Sequence, residues 1–141
     1  MPQNNYPSSH DIETLMELIS IDENIVMQMI SWKHQRWKLA KTTIEKEQAI
    51  RELLYTIAEL SNSPFERIVI DAESHSHYDP IDEVIHLKSA SIITALHELG
   101  HHLFGGQEII TCAWSNKLFR RVFPEEDAKL VWEGHLRVKK R

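Results

Sequence analysis

The feature that most constrains the fold is a change of period at the tetrapeptide SNSP, residues 61–64. Before it, apolar residues recur at helical spacing: Ile12, Leu15, Met16 and Ile19, then Ile25, Val26, Met29, Ile30, Trp37, Ala40 and Ile44, then Ile50, Leu53, Leu54, Ile57 and Leu60. These sets predict a short helix over about residues 11–20 and a longer one capped by Asp22. A break or bend is expected near Thr42 and Thr43, before the third set. After Pro64 the chain turns β-branched. FERIVID, residues 65–71, and EVIHLK, residues 83–88, predict strands separated by the polar loop AESHSHYDP. In the second strand Val84, His86 and Lys88 face one way and Ile85 and Leu87 the other, as a half-buried strand requires.

From Ser89 or Ser91 the period returns to that of a helix, with Ile92, Ile93, Leu96, Leu99 and Leu103 apolar and Gly105-Gly106 as its stop. Another helix is expected from about Gln107 to Val122. EEDAKLVWEGHLRV then predicts a last helix ending in the frayed basic tail KKR. The expected fold class is therefore α+β, one domain over 1–141, with a helical N-terminal part over 1–62 and a mixed part over 63–141.

At 141 residues and 42% apolar content the chain can bury a core of its own. A net charge of -5 disfavours a protein that works by neutralising phosphates, so nucleic acid is not the expected partner. The one candidate for such a role, SWKHQRWKLAK at 31–41, is read as a helix that buries Trp37 and solvates its lysines. No apolar run approaches the ~18 residues of a membrane span. The start MPQNNYPSSH lacks the pattern of a secretion signal, and the single Cys112 cannot form an internal disulfide. The expected location is the cytoplasm.

The chemistry concentrates in ALHELGHHLFGGQE, residues 95–108. Roughly 0.06 matches to His-Glu-x-x-His are expected by chance at this composition, so the spacing alone does not decide the matter. Context strengthens it, because a helix turns 100° per residue and projects His97 and His101 from one face, a turn apart. Both imidazoles can then bind one tetrahedral zinc ion. Glu98 points about 100° away, misdirected for ligation yet able to contact a water in the open position, where it would act as general base and later as acid. Gly100 inside the helix suggests a close approach of backbone or substrate. The bland alternative is a core helix carrying surface or satisfied histidines.

The segment from about Tyr78 to Phe119 resembles the strand-then-helix unit of zincin metallopeptidases. Glu108, Thr111, Trp114, Ser115, Leu118 and Phe119 are similar to the glutamate helix of the ImmA/IrrE-like metallopeptidases. That resemblance implies a minimal zincin core, made of a small sheet, the His-Glu-x-x-His helix and a returning glutamate helix, with the N-terminal helices packed on it. It implies Zn2+ held by His97, His101 and Glu108, with Glu98 catalytic in peptide-bond hydrolysis. Thr111 replaces an alanine of the family, the interval from His101 to Glu108 is short, and no helix-turn-helix module accompanies the domain. Phe104 and Gln107 depart from the extended motif of metzincins.

For the third ligand, Glu133, His135 and Cys112 compete with Glu108. The first two would require the last helix to fold across the cleft. Glu108 could instead simply favour the start of its helix. His102 is expected on the helix surface or supporting a ligand, His75 and His77 in solvent, and Cys112 as a buried thiol. A peptide substrate would lie along EVIHLK by strand addition. The rival from another class is a catalytically inactive zincin-fold module that binds a partner.

Overall fold

The structure, a computed structural model, describes residues 6–140; residues 1–5 and Arg141 of the basic tail lie outside it. The fold is α+β. Helix α1, Ser9–Leu18, starts where Ser8 accepts a hydrogen bond from the Asp11 amide, and it buries Ile12 and Met16. Helix α2, Glu23–Trp32, is capped by Asp22 and buries Ile25, Val26, Met29 and Trp32.

The break expected near Thr42 and Thr43 is present, but the helix before it stops short of Ile44. A π-helical turn at Lys33–Trp37 lets Trp37 stack on Trp32, ring centroids 5.6 Å apart, and the chain then leaves helical geometry. The reason lies at Thr42, which is extended and forms a reciprocal cap with Glu45, so α3, Thr43–Leu60, starts afresh. Ile30 and Ile44 accordingly fall off the stripe and are exposed. The expectation for this stretch holds in part: Lys38 and Lys41 are exposed, but Lys33 is half-buried and donates to the Val122 carbonyl, and Trp37 is half-buried rather than buried.

Strands β1, Arg67–Ile70, β2, His77–Asp79, and β3, Val84–Leu87, form one sheet in the order β1-β3-β2. β1 runs parallel to β3 and β2 antiparallel to it. Ile68, Ile85 and Tyr78 are aligned across the sheet and join the apolar core with α2, α3 and the later helices. His86 and its partner His77 fall on the opposite face, where their rings stack 4.3 Å apart. Two expectations are corrected here. The polar loop after β1 contains a strand, and β3 is the central strand, both of its edges already paired. A substrate therefore cannot add to EVIHLK; the edge next to the cleft belongs to β2.

Helix α4, Ile92–Phe104, begins at the Ser91 cap and ends at Gly105, whose φ of 76° is the left-handed geometry glycine adopts without cost. The chain reverses and α5, Glu108–Val122, packs back along α4. Gly100 faces α5 at close range. A Cβ there would stand 2.8 Å from Thr111 Cγ2, so the glycine makes room for a neighbouring helix. Gly100→Ala should lower stability by about 1–3 kcal/mol through overpacking, despite the gain in helix propensity. Adding Thr111→Ala should recover most of it, since that change removes the opposing methyl and a buried hydroxyl that has no partner among the described residues. Thermal melts of the single and double variants check this; equal melting temperatures would show that the contact carries no load.

The last helix is also corrected. Only one turn forms, α6 at Pro124–Asp127, followed by the hairpin β4, Leu130–Glu133, and β5, Leu136–Lys139. Gly134, at φ 66°, opens a two-residue loop with His135, and glycine in that place favours a hairpin turn over a helix. The basic tail is thereby paired as far as Lys139 instead of frayed. Arg120 anchors this end of the molecule by bonding both Glu13 and Asp127, Trp132 donates to Glu13, and Arg137 donates to Asp127. Among the described residues no helix is long and apolar enough to cross a membrane.

Candidate metal centre

His97 and His101 leave α4 one turn apart, their ring centroids 4.9 Å from each other. Glu108, the first residue of α5, faces both. Its Oε1 lies 2.7 Å from His97 Nε2 and its Oε2 lies 3.0 Å from His101 Nε2. The sharp reversal at Gly105 is what brings the start of α5 level with the last turns of α4. It also supplies a support, because the Gly105 carbonyl lies 3.1 Å from His101 Nδ1, and with that nitrogen protonated Nε2 is left free as a ligand atom.

Cys112, one turn after Glu108, is fully buried. Its sulfur stands 3.7 Å from Glu108 Oε1 and 3.9 Å from His97 Nδ1. Burial, with the Glu108 carboxylate beside it, pushes the thiol up to about 12 and keeps it protonated at neutral pH. His97, Glu108 and Cys112 offer ligand atoms within 4.8 Å of one another and could together hold a metal ion.

Burial raises the Glu108 carboxyl, but hydrogen bonds and positive potential from His101 and His97 outweigh it and hold the group well below the usual carboxylate range. The Glu108 bond raises His101 in turn, against the opposing effect of burial. Glu98 is 7% exposed, and its carboxyl is raised chiefly by burial, with His97 and His101 working against the shift. It lines the same open cleft, of about 670 Å³, as both histidines and Glu108.

Of the other candidates, Glu133 lies exposed on β4 and is not among the cleft-lining residues. His135 reaches the site, though by the hairpin and not by a helix folding across it. Its Nε2 is 3.8 Å from Glu108 Oε1, and its ring stacks on Tyr6 at 4.1 Å. The spacing read as helical in WEGH concealed this; the signal was Gly134 ahead of a short alternating segment. Tyr6, also part of the cleft wall, carried no sequence signal at all.

His102 turns away from the centre to brace it. Its Nε2 donates to the Ser63 carbonyl at 2.9 Å, which leaves Nδ1 to accept from the Tyr78 hydroxyl at 2.6 Å. This ties α4 to the loop before β1 and to the edge strand β2. His77 is exposed as expected, but at the rim of the cleft, with Nδ1 donating to the His75 carbonyl. His86 is covered by the His77 ring on the sheet face away from the core.

The donor set can be compared with a zinc ion's needs. Bonds of ~2.0–2.1 Å in a tetrahedron separate neighbouring ligand atoms by about 3.3 Å. The His–Glu separations of 2.7 and 3.0 Å open to that value by small side-chain rotations. Two imidazole nitrogens and a carboxylate are a donor set that a divalent transition metal accepts, each histidine here facing a different oxygen of Glu108. Comparison with known proteins adds no relative: no family model matches the chain, and no curated protein or solved structure is significantly similar to it.

Proposed function

We propose that the chain is a zinc-dependent metallopeptidase of the zincin type, in which His97, His101 and Glu108 hold Zn2+ and Glu98 is the catalytic base. The observation that carries the reading is the meeting of the Glu108 carboxylate with Nε2 of both motif histidines from a separate helix. A structural helix with two histidines has no need of that convergence, whereas a three-ligand site with one open position does.

Bound there, zinc would polarise a scissile carbonyl and acidify a water. Glu98, at the floor of the cleft on the same helix, takes the proton from the attacking water and delivers it to the leaving amine. Gly105 orients His101, and the neutral Cys112 fills the space behind His97 and Glu108. One observation favours His101 over Cys112 as the remaining ligand. Cys112 approaches His97 at Nδ1, whereas Glu108 approaches it at Nε2, so sulfur and carboxylate address different sides of that ring. A peptide would pair with the β2 edge at the cleft mouth, supported by the Tyr78–His102 bond.

Protein dialysed against zinc and then against buffer should retain about one zinc per chain, and it should cleave fluorescein-labelled casein in a reaction stopped by 1,10-phenanthroline. Failure to retain a transition metal would overturn the catalytic reading. Metal uptake without cleavage of any peptide in a random-sequence library would favour the inactive binding module.

A further inference from the structure

A second groove, of about 690 Å³, opens on the far side of Ile93, and that one side chain lines both it and the catalytic cleft. Its floor is apolar, built from Trp37, Phe119, Phe123 and Leu130. Trp37 is only half-buried, and Phe119 and Phe123 stack at 5.3 Å. The rim is cationic. Lys129, Lys139 and Lys140 border the groove against a single acid, Glu126, on a chain whose net charge is -5. Ser91 and Ile92, the cap and first residue of α4, line it too, so the positive end of that helix dipole faces the same space.

The hairpin creates this arrangement. It pairs Lys139 with Leu130 and bonds the Lys140 amide to the Lys129 carbonyl, setting the lysines around an apolar floor that extended or helical tails would not assemble. The volume lies in the range of ~300–1,000 Å³ usual for ligand clefts and leaves room for more than one large side chain. We infer that this groove is an exosite for the substrate chain, taking an extended acidic segment that carries large apolar side chains, with those side chains on the aromatic floor and the carboxylates at the lysine rim. The link to cleavage rests on the metallopeptidase reading; binding itself does not require it.

The test therefore uses metal-free protein, dialysed against EDTA. Fluorescein-labelled Gly-Asp-Leu-Glu-Phe-Asp-Gly should bind, measured by anisotropy, with quenching of tryptophan emission that Trp37→Phe removes. Replacing its acids by lysine, or its leucine and phenylalanine by serine, should each weaken binding by at least about tenfold. The exposed double reversal Lys129→Glu/Lys139→Glu should reduce affinity for the acidic peptide at least about tenfold and raise it for the lysine version. Equal binding of the three peptides, or binding indifferent to the charge reversal, would overturn the exosite. So would complete displacement of the peptide by micromolar dodecanoate, which would make the groove a site for small amphiphilic anions. Because no metal is present, a chain that never takes up zinc leaves these outcomes readable.

Discussion

Glu98→Gln should keep the bound zinc and lose hydrolysis by about 10²–10⁴-fold, the usual worth of a positioned general base. The amide preserves the shape of a residue that is 7% exposed, so packing and the neighbouring histidines stay in place. What it removes is the ability to accept a proton from water. Initial rates on labelled casein, with zinc measured on the same samples, separate this from simple unfolding. Wild-type rates in a zinc-loaded variant would remove Glu98 from the mechanism; loss of zinc together with activity would give it a role in holding the metal.

The second large effect is expected at Glu108. Glu108→Ala should weaken zinc binding more than about 100-fold, beyond what the loss of a supporting group around a metal costs. His135→Ala and Glu133→Ala should change it by no more than about tenfold. Cys112→Ser is the discriminating control, because serine keeps a small polar side chain and cannot replace a thiolate ligand. Competition with a chromogenic zinc chelator gives all four values. A Cys112→Ser loss as large as that of Glu108→Ala would move the sulfur into the coordination sphere. A large loss at His135 would make the hairpin part of the metal site and explain its 3.8 Å approach to Glu108.

The sequence by itself determined the features that depend on near neighbours along the chain. His97 and His101 share a face because helical geometry makes residues four apart neighbours, and Ser91 and Gly105 mark the ends of that helix by local backbone chemistry. Gly105 then fixed the return of α5, so Glu108 opposite the histidines was within reach of local reasoning. The α+β division at residues 61–64 was legible for the same reason: a switch of period is a local property. Where competing local signals were close in strength, the reading failed. The π-helical turn at Lys33–Trp37 ended a continuous-looking stripe before the break expected at Thr42 and Thr43, and the turn at Gly134 overrode the helix formers that precede it.

Only the tertiary structure decided what depends on partners distant in sequence. A three-residue strand such as β2 has too little pattern to announce itself, and it exists because β3 offers it an unpaired edge. That same pairing decides where an extended substrate can bind, since a central strand has no edge left. Gly100 announced a close approach but not of what; the answer, Thr111, depends on how two helices cross. The place of His135 above Glu108 depends on a hairpin held by Arg120, Glu13, Trp132 and Asp127, ionic and polar contacts of which those to Glu13 bring together residues more than a hundred positions apart. Such contacts follow from the assembled packing of α1, α5 and the hairpin, and no periodicity along the chain encodes them.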